Sequence, residues 1–208
     1  GDGHYVAGTG QSEHTPCPIG TYQPDVGKII CEDADPGYFV GEEGSTTQTG
    51  CHAGTYQPGQ AQESCISTEP GYYVTGTKAT EKTPCSPGKW QNQTGMTTCN
   101  SAEPGFHAPN PGADDQTPCP SGTFQSEFDS IECESAQPGY VVGLDGMAVS
   151  SPCPTGSYQS AGGQTSCTEA SPGYYVDSLG STEQLSCQLG TWQDLGGKSG
   201  CQDAQPGY

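Results

Sequence analysis

Apolar residues along this chain come in clusters of two or three, separated by polar and glycine-rich stretches. They do not recur at the spacing of a helix face over three turns. The clearest clusters follow a Pro-Gly pair, as in Tyr38-Phe39-Val40 and Tyr72-Tyr73-Val74. Aromatic and β-branched residues favour strands, and Pro-Gly favours a turn. The pattern therefore predicts an all-β chain of short strands and turns, with almost no helix.

The cysteines show that these clusters belong to a 34-residue repeat. A shorter gap, as from Cys17 to Cys31, alternates with a longer one, as from Cys31 to Cys51, along the whole chain and with no insertion. The cysteines are Cys17, Cys31, Cys51, Cys65, Cys85, Cys99, Cys119, Cys133, Cys153, Cys167, Cys187 and Cys201. Tetratricopeptide helices share this period, but a Pro-Gly pair in every repeat is incompatible with them, because Pro and Gly cost about 3 and 1 kcal/mol in a helix.

The repeat divides the chain into units that are too short to bury a core alone. We expect partial repeats at 1–16 and 187–208, and full repeats at 17–50, 51–84, 85–118, 119–152 and 153–186. Repeats of this size are stable when neighbours stack on them. The predicted fold is an elongated, solenoid-like rod of disulfide-stapled β-hairpins. Gly3-His4-Tyr5-Val6 and Pro206-Gly207-Tyr208 carry the same motif as the repeats, so we expect the array to continue beyond this chain.

Each repeat begins with a predicted hairpin between its two cysteines. In the first repeat a strand at Thr21-Tyr22-Gln23 and a polar turn separate Cys17 from Cys31. A glycine stands three positions after every first cysteine, as at Gly20, which predicts a positive φ or a backbone contact too close for a β-carbon. A Pro-Gly turn and the aromatic strand complete the repeat, for three or four short strands in all.

An even number of regularly spaced cysteines indicates disulfides and an oxidising compartment. A bond from Cys17 to Cys31 would close a loop of about 15 residues, worth about 3 kcal/mol. A bond from Cys31 to Cys51, across the longer gap, is the alternative that spacing leaves open. Zinc is not expected, because its ligands usually lie closer together in sequence.

Composition narrows the choice of partners. The chain has 208 residues, no Arg, five Lys and 24 acidic residues, for a net charge of −19. Nucleic-acid binding requires clustered positive charge and is excluded, and anionic membranes are disfavoured. No apolar run approaches the length of a membrane span. The scarcity of aliphatic residues would suggest disorder, but a fixed register and twelve cysteines favour an ordered extracellular or cell-surface protein.

Two sets of side chains recur in register and are predicted to form ladders between stacked repeats. The residue five positions after each first cysteine is aromatic, and the next is always Gln. Stacked rings and amide hydrogen bonds stabilise in-register arrays. The aromatic set is Tyr22, Tyr56, Trp90, Phe124, Tyr158 and Trp192, and the glutamine set is Gln23, Gln57, Gln91, Gln125, Gln159 and Gln193.

The motifs C-x-x-G-[TS]-[YFW]-Q and P-G-Y-[YF]-V resemble the ephrin-receptor-like cysteine-rich repeats of extracellular proteins. The first motif also resembles the two-cysteine module of tumour-necrosis-factor receptors. The resemblance implies that the two cysteines of each hairpin pair with each other. It also implies an elongated, β-rich extracellular chain. This chain departs from the family in having two cysteines per repeat and uniform spacing.

Few residues are candidates for a glycosylation, metal-binding or catalytic site. Asn92-Gln93-Thr94 is a sequon at a predicted surface turn, so we expect a glycan on Asn92. Two acidic clusters, Glu32-Asp33-Ala34-Asp35 and Asp114-Asp115, offer at most weak Ca²⁺ binding, and no other cofactor is expected. The histidines are expected on the surface. No arrangement of nucleophile and base recurs, so an enzyme is not expected.

The sequence favours a structural subunit of an extracellular filament or surface appendage, whose partners are copies of itself. The alternative is a stalk or ligand-binding ectodomain of a surface receptor. That alternative requires a repeat that differs from the others. The third repeat is the best candidate, with Trp90, the sequon, and Phe106-His107-Ala108 in place of Tyr-Tyr-Val.

Overall fold

A computed structural model describes residues 2–6, 8 and 13–205 of the chain. These residues form two-residue β-strands and turns, with no helix among them. The strands are β1 (His4–Tyr5), β2 (Thr15–Pro16), β3 (Thr21–Tyr22), β4 (Glu32–Asp33), β5 (Tyr38–Phe39), β6 (Thr49–Gly50), β7 (Thr55–Tyr56), β8 (Ile66–Ser67), β9 (Tyr72–Tyr73), β10 (Thr83–Pro84), β11 (Lys89–Trp90), β12 (Asn100–Ser101), β13 (Phe106–His107), β14 (Thr117–Pro118), β15 (Thr123–Phe124), β16 (Glu134–Ser135), β17 (Tyr140–Val141), β18 (Ser151–Pro152), β19 (Ser157–Tyr158), β20 (Thr168–Glu169), β21 (Tyr174–Tyr175), β22 (Leu185–Ser186), β23 (Thr191–Trp192) and β24 (Gln202–Asp203).

Each odd-numbered strand pairs with the strand that follows it, and every pair is a separate two-stranded sheet. The pairing is antiparallel, with Thr21 opposite Asp33 in the β3–β4 hairpin and Tyr38 opposite Gly50 in the β5–β6 hairpin. The prediction of an all-β, disulfide-stapled chain of short hairpins is confirmed. The division into six repeats at the boundaries given above stays a prediction.

Each sequence repeat contains two hairpins with the same backbone, so the structural period is half the sequence period. A first strand begins at positions 4, 21 and 38, and at this interval along the rest of the described chain. We call the hairpin that carries the two cysteines the cysteine hairpin, and the one that follows Pro-Gly the aromatic hairpin. The cysteine spacing reveals the longer period only, although Gly20 and Gly37 stand half a repeat apart.

The core is a row of small side chains whose chemistry alternates between the two kinds of hairpin. Cys17 in a cysteine hairpin and Ala34 in the next aromatic hairpin are both fully buried. Further along each hairpin, Gln23 and Val40 are buried in the same way. Aromatic rings are absent from these positions, so the backbones of successive hairpins approach closely. The resulting core is thin, and the disulfides add the stability that it lacks.

Backbone hydrogen bonds join successive hairpins within each part of the chain, as in residues 20–57. The N–H of Gly20 donates to the carbonyl of Val40 at 2.8 Å, and one hairpin later the N–H of Gly37 donates to Gln57 at 2.7 Å. A second bond runs from the N–H of Gly44 back to the carbonyl of Cys17, at 2.8 Å. Since these bonds use backbone groups, the same contact can recur whatever the loop sequences are.

The contacts divide the chain into two compact units. One comprises Gly1–Asn100 and Asn110–Asp115, and the other comprises Ser101–Pro109 and Gln116–Tyr208. The same inter-hairpin bonds recur inside each. In the second unit, for example, the N–H of Gly139 donates to the carbonyl of Gln159 at 2.7 Å. Pro206-Gly207-Tyr208, which carries the repeat motif in the sequence, lies outside the described residues.

Candidate functional site

Each cysteine hairpin is closed by its own disulfide. The bond joins the cysteine before the first strand to the cysteine before the second, with Cα–Cα distances of 5.7 to 5.8 Å. The shorter of the two pairings left open by the spacing is therefore the one that forms. The pairs are Cys17–Cys31, Cys51–Cys65, Cys85–Cys99, Cys119–Cys133, Cys153–Cys167 and Cys187–Cys201.

The recurring glutamines stabilise their own loops, and the predicted amide ladder between repeats is wrong. In the first cysteine hairpin the Gln23 side-chain amide donates to the carbonyl of Ile30 at 2.8 Å. Its side-chain oxygen accepts from the N–H of Asp25 at 3.0 Å. The other five glutamines make the same two bonds, which occupy both ends of the amide. The residues concerned are Gln57, Gln91, Gln125, Gln159 and Gln193.

The glycine three positions after the first cysteine has a positive φ in all six cysteine hairpins, and at Gly20, Gly54, Gly122 and Gly156 a β-carbon would also overlap backbone. Gly20 has a φ of 89°, in the region that side chains disfavour. A β-carbon on Gly20 would also overlap the backbone carbonyl of Ala61, two hairpins further along. The expectation of a positive φ or a close backbone contact is therefore confirmed on both counts.

The recurring aromatic residues lie on the first strand of each cysteine hairpin. Tyr22, Trp90 and Phe124 are half-buried, whereas Trp192 is 45% exposed. Burial raises the pKa of Tyr22, and the nearby carboxylate of Glu32, which accepts a hydrogen bond from the phenol, raises it further. Stacking of these rings into a ladder stays a prediction, also for the equivalent positions Tyr56 and Tyr158.

The sequon and the acidic clusters lie on the surface. Asn92 is exposed in the loop of its cysteine hairpin, directly after buried Gln91, and its glycosylation stays a prediction. Glu32 and Asp35 already have partners, since Glu32 faces the Tyr22 phenol and a carboxylate oxygen of Asp35 accepts from the side-chain amide of Gln48 at 2.7 Å. Asp114 and Asp115 are exposed.

One histidine contacts a disulfide, contrary to the expectation that the histidines lie on the surface. His14 and His52 are exposed, as expected, but His107 is half-buried on β13. Its Nδ1 lies 3.3 Å from the Sγ of Cys133 and 3.1 Å from the carbonyl oxygen of Thr117. The equivalent residue of another aromatic hairpin, Tyr73, likewise lines a depression beside Cys99, which shows that this position faces a disulfide in more than one repeat.

Two regions of the chain match the family model described as tyrosine-protein kinase ephrin type A/B receptor-like, at residues 3–51 and 139–187. Over residues 3–51 and 139–187 the chain matches ephrin-receptor-like cysteine-rich repeats. Both ephrin-receptor-like regions begin at a glycine that opens an aromatic hairpin, Gly3 or Gly139, and both end at a first cysteine, Cys51 or Cys187. The match therefore follows the structural register. No curated protein matches the chain.

Ephrin-receptor-like repeats are structural or ligand-binding modules, and with six disulfides they indicate an extracellular or secreted protein. Within residues 2–6, 8 and 13–205 the structure has no helix suited to crossing a bilayer. The geometry of these residues is dominated by features that recur in every repeat. The contact between His107, in the third predicted repeat, and Cys133, in the fourth, is the exception.

Proposed function

We propose that this chain is a structural subunit of an extracellular filament or surface appendage, assembled from copies of itself by stacking of ephrin-receptor-like hairpins. The observation that carries the proposal is the uniform contact between successive hairpins. The same Gly N–H to carbonyl bond joins them, at 2.7 to 2.8 Å, in both compact units. Such a chain serves to give the filament its length and stiffness.

The composition of this contact supports assembly. Backbone groups, including those of loop residues such as Gly44, form much of it together with small buried side chains such as Cys17 and Ala34. A hairpin of a second copy has the same donors, acceptors and small side chains. It can therefore stack on a hairpin of the first copy by the same bonds, which is the means by which repeat arrays propagate.

The charge of the chain suits a filament that stays separate from its neighbours. A net charge of −19 produces repulsion between parallel filaments, which keeps them soluble and disfavours bundling. A glycan on Asn92 would add bulk at an exposed loop and act in the same direction. Stacking of hairpins end to end involves backbone groups and is affected less.

A second candidate function is a stalk or ligand-binding ectodomain of a cell-surface receptor. The family description supports it, since it names a receptor. The third repeat supports it as well, because His107 occupies a position where Tyr73 and Tyr175 stand in other repeats. A ligand site requires a repeat that differs from its neighbours, and this one does.

Electron microscopy of natively purified material separates the two functions. One sample is alkylated directly and keeps its disulfides, and the other is reduced and then alkylated, so that its disulfides cannot form again. Filaments with a regular axial repeat that disappear on reduction are the expected result. Dispersed single particles at all protein concentrations in the first sample would reject the filament and favour the receptor ectodomain.

A further inference from the structure

The contact between His107 and the Cys119–Cys133 disulfide follows from three neighbouring strands. His107 lies on β13, opposite Thr117 of β14. Cys119 directly follows β14, and Cys133 directly precedes β16. The ligand atoms of the histidine and the two cysteines all lie within 4.8 Å of one another, with Cys119 buried and the other two half-buried. The hairpins thus bring one imidazole and two sulfurs together.

No other disulfide of the chain has an imidazole at this position. The residues that correspond to His107 in the other aromatic hairpins are Tyr5, Phe39, Tyr73, Val141 and Tyr175. Tyr175 lines a depression beside Cys201, so the geometric relationship is shared while the chemistry is different. Among the residues that the structure describes, this is the one cluster of three histidine, cysteine or carboxylate ligands that could hold a metal ion.

We propose that reduction of the Cys119–Cys133 disulfide converts this cluster into a binding site for a thiophilic divalent metal ion of the zinc class. The reductant is a dithiol or a phosphine, which supplies two electrons and breaks the S–S bond to give two thiols. The metal ion then displaces both thiol protons and binds two thiolates and the imidazole of His107. With the disulfide intact the site does not exist, because its sulfurs are not thiolates.

The distances suit tetrahedral coordination. Zn–S bonds of about 2.3 Å and Zn–N bonds of about 2.0 Å place N and S about 3.5 Å apart in a tetrahedron. The observed separation between Nδ1 of His107 and Sγ of Cys133 is 3.3 Å. The two sulfurs need to separate to about 3.8 Å, which a rotation of the Cys119 side chain can provide while Cys133 keeps its distance to Nδ1. Two Cys and one His leave the fourth position for water, as in open zinc sites.

The tautomer of His107 determines whether its Nδ1 can bind the metal ion. Nδ1 is also 3.1 Å from the carbonyl oxygen of Thr117, so it donates to that oxygen when it is protonated. With the proton on Nε2, the lone pair of Nδ1 is free to face the sulfurs. Metal binding therefore replaces the contact with Thr117.

Two variants supply matched controls from the chain itself. His107→Tyr removes the imidazole and installs the residue found at the equivalent positions Tyr73 and Tyr175, so the fold should tolerate it. Tyr73→His places an imidazole beside the Cys85–Cys99 disulfide, where Tyr73 already lines the depression next to Cys99. The first should remove the site and the second should create another one.

The full chain is treated with a phosphine in the presence of Co²⁺, which reports tetrahedral thiolate coordination by its absorption. We expect one equivalent of Co²⁺ to bind after reduction and none before it. The dissociation constant should rise at least about tenfold in His107→Tyr, and Tyr73→His should bind a second equivalent. Equal affinity in the native chain and His107→Tyr would overturn the proposal.

A second measurement keeps the test valid if reduction unfolds the hairpins. Zn²⁺ is added before the phosphine, the thiols are alkylated, and each cysteine is assigned by peptide mapping. Cys119 and Cys133 should be protected from alkylation, and this protection should be lost in His107→Tyr. Protection that is equal at all six cysteine pairs, or absent from every pair, would reject a site built on His107.

Discussion

The carbonyl oxygen of Gly95 occupies the space that a β-carbon on Gly54 would need. Gly54 opens one cysteine hairpin and Gly95 lies in the loop of the next one, so the contact joins hairpins that are not adjacent in sequence. Gly54 also has a φ of 85°. At Gly54 the close approach and the backbone conformation exclude a side chain independently. The positive φ recurs at the equivalent glycine of every cysteine hairpin, which explains why this position never varies within the chain.

Gly54→Ala should therefore destabilise the chain by at least about 2 kcal/mol, since it combines a disfavoured φ with a backbone overlap. Urea denaturation of the oxidised protein measures the change. Gly76→Ala is the matched control, because a β-carbon there meets no atom within 4 Å and its φ is not positive. A similar loss of stability in both variants would contradict the role of the inter-hairpin contact.

Buried Gln91 is expected to be one of the most sensitive side chains of its hairpin. Its amide donates to the carbonyl of Thr98 and accepts from the N–H of Gln93, both at 3.0 Å. Gln91→Ala leaves these two groups without their partner and should cost about 2 kcal/mol. Gln93→Ala, at an exposed side chain in the same loop, is the control and should cost under about 0.5 kcal/mol.

Replacement of Gln91 by Glu tests the donating half of the amide. The ionised carboxylate can accept from Gln93 but cannot donate to Thr98, so folding favours the protonated form and raises the pKa of the introduced carboxyl. Stability is then fully present below the unfolded pKa and is lost as pH rises through the folded one. Denaturation midpoints across mildly acidic to neutral pH should fall in Gln91→Glu relative to the native chain. A constant difference between the two would show that the bond to Thr98 is dispensable.

The sequence was sufficient to predict which elements make up the fold, but not the interval at which the hairpins repeat. Recurring cysteines and Pro-Gly pairs identify the hairpins and their order, because those residues determine turns and cross-links locally. The equivalence of Cys17 with Ala34, and of Gln23 with Val40, was not predictable from residue type. Backbone contacts between hairpins create that equivalence, and the side chains at these positions share only burial.

The function of the glutamines shows the same limit. A residue that is constant in every repeat suggested a contact between repeats, but Gln23 bonds to groups within its own loop, at Asp25 and Ile30. The glutamine is constant because every loop presents the same two backbone groups that need a hydrogen-bond partner. The contact of His107 with Cys133 was missed for a related reason, since it joins residues 26 positions apart through a pairing of strands that spacing does not reveal.

Ala61 occupies a backbone position that favours glycine. Its φ is 54°, and the equivalent positions one repeat away are Gly27 and Gly95, with φ values of 73° and 70°. Ala61→Gly should stabilise the chain by about 0.5 to 1 kcal/mol. Glycine adopts the left-handed conformation without the strain that alanine has there, and this gain exceeds the entropy that glycine loses on folding. Ala53→Gly, at a residue without a positive φ, should destabilise it by about the same amount. Urea denaturation of both variants provides the test, and a loss of stability in Ala61→Gly would contradict it.

Tyr22 should ionise at higher pH than an ordinary tyrosine. Burial raises its pKa above the ordinary value of 10.0, and the carboxylates of Glu32 and Asp35 act in the same direction. Because the folded pKa is raised, the stabilisation is fully present below the unfolded pKa and is lost as pH rises through the folded one. Tyrosinate absorbance, taken as the difference between the native chain and Tyr22→Phe, isolates this titration. Glu32→Gln should shift it to lower pH, whereas Glu42→Gln, at an exposed residue, should not. An equal shift in both variants would attribute the effect to net charge rather than to the contact between Tyr22 and Glu32.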